Sequence, residues 1–306
     1  MKKLGIIALL LAIAGCALNQ PEEAELTVYT TIYPIQYATE RIAGETANVH
    51  TVYPPGVDVH TYEPASKDMT AIAKSDAFIF LGAGMESFAE TAADALTADD
   101  ITLVEIGQHD ELFHTVESED RRHNHDDHKH GDVDPHIWLD PLKMIDMAEI
   151  IKDALIDLNP KRNSLYNDNF SILKNELQKL DEHYTNVLET KKNKKILVSH
   201  AAYGYWEARY GIKQIPISGL SSSSEPSQKD LTEIIDQART LEMDYIIFEQ
   251  NSSNRIADII QDHIGAEALT IHNLSVLTDD DIAHDQDYFS LMEDNLKVLD
   301  TAIGEE

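Results

Sequence analysis

The sequence has little cysteine and little positive charge. Its 306 residues include one cysteine, Cys16. This excludes an internal disulfide framework, a zinc site built from several thiolates and a CxxC redox motif. Lys and Arg number 24 against 55 Asp and Glu, which gives a formal net charge of -31. A charge of this sign excludes a general nucleic-acid binder, which needs a basic face, and excludes charge-driven docking on an anionic membrane.

The apolar run near the N-terminus is too short to cross a bilayer. Residues 4–14 form it, after two lysines, whereas a spanning helix needs about 20 residues. The pattern is that of a secretory signal, and the stretch IAGC ending at Cys16 looks like a bacterial lipobox. An ordinary signal peptide cut nearby is the alternative. We expect a signal peptide at 1–15, lipid on Cys16 and a tether at 16–25, which would hold the protein on the extracytoplasmic face of the membrane, in keeping with a Gram-positive cell surface.

Beyond the tether, short β-rich runs alternate with helical patterns in two groups of four. The composition, 42% hydrophobic residues, is sufficient for a sizeable core. The alternation predicts an α/β fold with two similar lobes, each a mostly parallel four-stranded sheet flanked by helices. The predicted strands cover residues 26–32, 48–53, 77–81, 102–106, 195–199, 213–217, 245–248 and 268–274.

The lobes are predicted to be joined by one long rigid helix. Residues 161–190 carry apolar side chains at helical spacing, and neither Gly nor Pro interrupts them after Pro160. A helix of about 30 residues would be about 45 Å long. Two shorter helices packed in one lobe are the alternative. The expected division is an N-terminal lobe at 26–159, a connecting helix at 160–192 and a C-terminal lobe at 193–306.

A segment of different composition interrupts the first lobe. Residues 109–132 hold six of the fourteen histidines and eight acidic residues, with few apolar ones. Such a segment cannot bury enough surface to fold, so we expect a mobile surface loop. Its last four histidines are expected to bind metal weakly and exchangeably, and a solvated acidic spacer is the alternative. These four residues are His123, His125, His128 and His130.

Three other histidines follow predicted strands. Ligands of open parallel α/β sheets bind beyond the carboxyl ends of the strands. His200 directly follows its strand, His60 lies in the loop after residue 53, and His136 lies beyond the loop that follows residue 106. Taken singly, each could be an ordinary polar loop residue, but their shared topology predicts one cleft. Neutral imidazoles suit zinc, and three of them leave a fourth position for a carboxylate or water.

At these residues the sequence resembles a known family. It is similar to the metal-binding receptors of bacterial ABC importers, the cluster A-I or high-affinity zinc uptake family, over nearly the whole mature chain. Together the matching motifs are specific, although VDVH or DPH alone would be weak. The matching stretches are residues 29–34 (YTTIYP), 56–64 (GVDVHTYEP), 134–141 (DPHIWLDP), 199–205 (SHAAYGY) and 219–227 (GLSSSSEPS).

The resemblance implies that His60, His136 and His200 are the metal ligands. It also implies zinc rather than Mn²⁺, because manganese relatives tend to carry glutamate at the position of His200, and the acidic histidine-rich loop is typical of zinc members. Many relatives place a carboxylate ligand where this chain has Ser275, a poor zinc ligand. We expect water in the fourth position; Glu249 is an alternative, and so is His272 near the end of the last predicted strand.

The predicted function is an extracytoplasmic receptor. It would capture Zn²⁺ in the interlobe cleft, deliver it to an ABC permease and act as a monomer that catalyses no reaction. The alternative is a zinc hydrolase or lyase, because three histidines and an open water position also describe catalytic zinc sites. An adhesin or metal-buffering surface protein would differ from the receptor only in its partner.

Overall fold

The computed structural model describes residues 25–97, 100–113, 133–220, 227–250 and 255–304. They form two lobes, each with four parallel strands in one sheet. The strands are β1 Leu26–Thr30, β2 Ala47–Thr51, β3 Ala77–Phe80, β4 Thr102–Glu105, β5 Lys195–His200, β6 Lys213–Ser218, β7 Tyr245–Glu249 and β8 Glu267–Ile271. The predicted α/β fold class is confirmed.

Helices cover the sheets and connect the lobes. They are α1 Tyr33–Ala43, α2 Ser66–Ile72, α3 Ser87–Leu96, α4 Pro141–Leu158, α5 Asn163–Glu189, α6 Gly204–Tyr210, α7 Gln228–Thr240, α8 Arg255–Ile264, α9 Asp279–Ala283 and α10 Tyr288–Ile303. None of the helices in the described ranges has the length and apolar character needed to cross a membrane.

The two sheets have the same topology. The strand order is β2-β1-β3-β4 in the first lobe and β6-β5-β7-β8 in the second. In each sheet the direction of strand succession reverses between the two central strands, which opens a crevice at their carboxyl ends. In the second lobe these ends are His200 on β5 and Glu249 on β7. The topology therefore brings two ionisable side chains to one edge of the sheet.

Helix α5 is one continuous helix of 27 residues, so the alternative of two shorter helices is wrong. At 1.5 Å per residue it is about 40 Å long. It packs against α1 and α4 of the first lobe and against α6 and α10 of the second. Its buried side chains recur every three or four residues, and they are Tyr166, Phe170, Leu173, Leu177, Leu180, Tyr184 and Leu188. Both lobes thus pack on one side of the same helix.

The predicted ends of β1 and β2 are two residues too late, and the predicted end of β8 is three residues too late. β1 ends at Thr30 rather than at residue 32, because Ile32 becomes the N-cap of α1 and Pro34 occupies its first turn. β8 ends at Ile271 rather than at residue 274, because Leu274 adopts a left-handed φ of 60° that a strand cannot continue.

The predicted histidine-rich loop also begins later than residue 109. Asp110–Leu112 form a 3-10 turn, in which Leu112 is buried. Lys143 of α4 donates to the main-chain carbonyl of Glu111 and holds this turn on the first lobe. Residues 110–112 therefore belong to the folded first lobe and not to the predicted loop, because Leu112 is buried there. Residues 114–132 lie outside the described part of the chain.

Candidate metal centre

The structure brings His60, His136 and His200 together. One ring nitrogen from each lies within 4.8 Å of the others, and within the described ranges no fourth histidine, cysteine or carboxylate joins this group. Ring centroids are 5.9 Å apart for His60 and His136, 5.6 Å for His60 and His200, and 5.0 Å for His136 and His200. Three nitrogens bound tetrahedrally to one zinc ion are about 3.4 Å apart. A small inward movement of the rings would complete such a site. We call these three residues the histidine cluster.

His136 is held by the carboxylate of Asp134. Asp134 Oδ1 lies 2.8 Å from His136 Nδ1 and also accepts from the His136 main-chain N–H at 3.0 Å. Both residues are almost fully buried. A ring N–H donated to a carboxylate fixes the tautomer that leaves Nε2 as the metal-binding atom. Gly204, the first residue of α6, makes room for this carboxylate, since a Cβ there would lie 2.5 Å from Asp134 Oδ2.

His200 is held by Glu249 in the same way. Its Nδ1 lies 2.8 Å from Glu249 Oε1, and its Nε2 lies 2.7 Å from the main-chain carbonyl of Leu220. Both partners are acceptors, so both ring nitrogens donate and the ring is protonated in this arrangement. Burial is the largest single influence and would lower the pKa of His200, but the charge and hydrogen bond of Glu249, the Leu220 carbonyl and the charge of Asp134 together raise that pKa to about 8. Burial would raise the pKa of Glu249, but His200 holds it well below its usual value.

His60 lies in the loop between β2 and α2. Its main-chain N–H donates to Asp58 Oδ1 at 2.9 Å, and the hydroxyl of Tyr53 donates to the carbonyl of the preceding residue, Val59. Burial lowers the pKa of His60 to about 4, with a further contribution from His136 and His200. The imidazole is therefore neutral near pH 7, the form that binds a metal ion.

The segment that carries His136 is bonded to the second lobe. Four side-chain donors join it there at 2.6 to 2.8 Å. The bonded pairs are Tyr205 with Asp134, Trp206 with Leu139, Tyr288 with Trp138, and Trp138 with Asn273. In chain order His136 precedes the connecting helix. The hydrogen bonds of its segment nevertheless place His136 beside His200 on the second lobe, and His60 faces these two residues from the first lobe.

The other candidate ligands have different partners. Glu249 bonds to His200 at one oxygen and accepts from Asn273 Nδ2 at the other, at 2.9 Å. His272 Nε2 contacts Asp281 at 3.0 Å, and its Nδ1 accepts from the main chain of Leu274. The hydroxyl of Ser275 donates to Asn273 Oδ1 at 2.8 Å.

Sequence reasoning missed Asp134, although its place two residues before His136 is a readable signal. It also missed Asn273, for which the sequence gives no signal, because its contacts come from residues far apart in the chain. Two other predictions fall outside the described residues. They are the lipidation site Cys16 and the weak metal binders His123, His125, His128 and His130.

The chain is similar to proteins of known family. The family model of the periplasmic zinc-uptake complex component A matches residues 28–302. The zinc-binding lipoprotein AdcA of Streptococcus pneumoniae is 31% identical over 310 residues, which cover 100% of this chain and 62% of AdcA. The chain thus spans less than two thirds of that relative. The high-affinity zinc uptake system protein ZnuA of Bacillus subtilis is 28% identical over 301 residues, covering 96% of this chain and 94% of ZnuA.

The fold is shared as well. The crystal structure of Zn(II)-bound AdcA from Streptococcus pneumoniae superposes with a TM-score of 0.77 at 31% sequence identity. The superposition covers 92% of this chain and 59% of the AdcA chain. The similarity therefore extends over both lobes and the helix that connects them.

Proposed function

Because the chain belongs to the zinc-uptake complex component A family, we propose that it is the extracytoplasmic zinc receptor of an ABC importer. It captures Zn²⁺ in the cleft between its lobes and delivers the ion to the permease. The transported ion is the substrate, and the protein catalyses no reaction on it. The relatives described above are named for zinc binding and zinc uptake, which supports zinc as the ion.

The histidine cluster carries the proposal. Three imidazoles from distant parts of the chain meet within 4.8 Å, and two of them have a carboxylate on the second ring nitrogen. Nitrogen donors favour zinc over Mn²⁺, which suits oxygen ligands better. Burial of His136 and His200 keeps bulk water from competing for the ion. We therefore propose His60, His136 and His200 as the zinc ligands.

Water is the proposed fourth ligand. The hydroxyl of Ser275 is engaged by Asn273, His272 by Asp281, and Glu249 by His200 and Asn273. Each of these side chains would have to give up its partners to reach a metal ion. A water molecule reaches the ion without this cost.

A competition titration tests the proposed function. The purified protein is freed of metal and titrated with zinc and, separately, with manganese against a chelator of known affinity. We expect one tight zinc site per chain and much weaker manganese binding. Replacing His60, His136 or His200 with Ala should abolish the tight site. Tight binding of manganese in preference to zinc, or a tight site that survives all three substitutions, would refute it.

A zinc hydrolase or lyase remains the rival function. The sequence contains no HExxH motif. The two carboxylates beside the cluster, Asp134 and Glu249, are each bonded to a proposed ligand and so are not aimed at a metal-bound water as a general base. Zinc-loaded protein assayed against ester, lactam and carbon dioxide substrates separates the two functions. Turnover that His200→Ala abolishes would favour the enzyme.

We also propose a signal peptide, a lipid anchor and two lobes for this chain. Residues 1–15 are removed, Cys16 carries the lipid that anchors the mature chain, and residues 16–25 form the tether. The lobes cover 26–159 and 193–306 and are connected by 160–192. The protein works as a lipid-anchored monomer on the cell surface and has an ABC permease as its partner. His123, His125, His128 and His130 bind additional zinc weakly and exchangeably.

A further inference from the structure

Asn273 lies between two of the three proposed ligands. Its main-chain carbonyl accepts from Trp138 Nε1 at 2.8 Å, and the Trp138 ring lies 5.3 Å from the ring of His136. On its other side, Asn273 Nδ2 donates to Glu249 Oε2 at 2.9 Å. The second oxygen of Glu249 contacts His200 Nδ1 at 2.8 Å. One residue thus reaches His136 through Trp138 and His200 through Glu249.

The side-chain amide of Asn273 has only one satisfactory orientation. Its Oδ1 accepts from Gln250 Nε2 at 2.8 Å, from Ser275 N at 3.0 Å and from Ser275 Oγ at 2.8 Å. A flipped amide would turn its NH₂ group toward these donors and its oxygen toward the carboxylate of Glu249. The amide NH₂ is therefore held facing Glu249.

The backbone around Asn273 is shaped for this contact. The next residue, Leu274, is fully buried and has a φ of 60°, a conformation that non-glycine residues adopt only where surrounding contacts hold them. Its main-chain N–H donates to His272 Nδ1, and Asn295 bonds to both the N–H and the carbonyl of His272. The turn at residues 272–275 is a fixed support for the Asn273 side chain.

The support matters because Glu249 is a buried carboxylate. Its oxygens are bonded by His200, by Asn273 and, at 3.3 Å, by the hydroxyl of Tyr203. A carboxylate held at both oxygens cannot rotate, and the ring that donates to it cannot rotate either. A zinc ion needs His200 Nε2 at a defined position, and partners of this kind set that position.

On the basis of the zinc-binding function proposed above, we propose that Asn273 is a positioning residue that fixes the ring of His200 through Glu249. Partners bonded directly to a metal ligand change metal affinity by about 10- to 100-fold when replaced, although they never touch the ion. Asn273 acts one hydrogen bond further out, so we expect an effect at the low end of this range.

The test is Asn273→Asp, compared with the wild type. The substitution keeps the size and the acceptor oxygen that Gln250 and Ser275 require, but it replaces the donor to Glu249 with a negative oxygen. We expect zinc affinity to fall about tenfold. The matched control is Asn169→Asp on α5, where the amide donates to the carbonyl of Ile42 in the first lobe. The control should leave zinc affinity within about twofold.

A double-mutant cycle separates positioning from a general structural role. In a Glu249→Gln background, the amide at position 249 can donate to the carboxylate that Asn273→Asp introduces. Asn273→Asp should therefore lower zinc affinity far less in this background than in the wild type. Additive losses would show that Asn273 does not act through Glu249 and would overturn the proposal. If Asn273→Asp does not fold, Asn273→Ser, which also lacks the amide donor, takes its place in the cycle.

The metal-free protein gives an independent readout. Proton and nitrogen NMR of ¹⁵N-histidine-labelled protein should show a hydrogen-bonded Nδ1–H signal from His200, assigned by its loss in His200→Ala. This signal should shift or broaden in Asn273→Asp and stay unchanged in Asn169→Asp. An unchanged signal in both variants would overturn the positioning role even if the wild type binds zinc. Failure of the wild type to bind zinc would refute the proposed function and leave the NMR result to judge Asn273.

Discussion

Two of the three clustered histidines use one ring nitrogen to contact a carboxylate, Asp134 for His136 and Glu249 for His200. This arrangement fixes which nitrogen of each ring is available to a metal ion. His60 lies in a loop, where its main-chain N–H donates to Asp58. We therefore expect unequal ligands: carboxylates hold His136 and His200, and a loop supplies His60.

Ser275→Ala should change zinc affinity by less than about twofold. The hydroxyl contacts Asn273 Oδ1 beside two other donors, so the amide keeps its orientation when the hydroxyl is removed. His200→Ala should weaken zinc binding by at least about 100-fold, because it removes one of three protein ligands. Competition titration measures both values. A strong loss of zinc affinity from Ser275→Ala would contradict a fourth position filled by water.

Zinc affinity should depend on pH through His200. Burial would lower its pKa, but Glu249 together with the Leu220 carbonyl and Asp134 raises it to about 8. Zinc must therefore displace the Nε2 proton and the contact with Leu220. Affinity should therefore fall about tenfold per unit as the pH drops below about 8 and level off above it. The pKa of His60, lowered to about 4, adds a second proton only in strong acid.

Calorimetry in two buffers of different ionisation enthalpy measures the proton count directly. About one proton should be released per zinc near pH 7 and almost none near pH 9. An affinity that stays constant between about pH 6 and pH 8 would show that His200 is neutral before zinc arrives.

At the scale of elements, the sequence allowed the strands and the long helix to be predicted from hydrophobic periodicity, and the position of the cleft from the strand ends. All eight strands and the long helix α5 were predicted, and the rule for strand ends placed His60, His136 and His200 at one cleft. The end of β8 was wrong because the turn there depends on Leu274 donating to the His272 ring, a contact that no local pattern reveals. Glu249 was noted only as an alternative ligand, since its contact with His200 joins two different strands.

The start of α6 gives a prediction at this scale. Gly204→Ala should weaken zinc binding by about tenfold, because the new Cβ would lie 2.5 Å from Asp134 Oδ2 and push that carboxylate away from His136. The matched control is Ala208→Gly on the exposed side of the same helix, which lowers stability without touching the site. Zinc titration and thermal unfolding of both variants measure the effects. Equal zinc affinity in the two variants would show that Asp134 adapts and does not position His136.

For the whole molecule, the segment from Asp134 to Asp140 links the lobes. It precedes the connecting helix in the chain, yet Tyr205, Trp206 and Tyr288 of the second lobe all donate to its carbonyl groups. Arg209 adds an ion pair to Asp140, with Nε and Oδ1 2.5 Å apart. His136 and His200 are therefore already paired on the second lobe, and His60 faces them from the first lobe.

Deleting residues 117–131 should leave the tight zinc site intact and remove only weaker sites. The proposed ligands lie outside this segment, and its low apolar content gives it little capacity to shape a pocket. The number of zinc ions bound at low and at high zinc concentration measures the two classes of site. Loss of the tight site in the deletion protein would mean that the segment supplies a primary ligand.

The most direct measurement is a crystal structure of the zinc-loaded protein with anomalous data collected at the zinc absorption edge. We predict one strong zinc peak within about 2.0 to 2.1 Å of one ring nitrogen each from His60, His136 and His200. A solvent oxygen should occupy the fourth position, with Glu249 still bonded to His200 Nδ1. A peak that lacks any of the three histidines, or that has a carboxylate oxygen of Glu249 as a ligand, would contradict it.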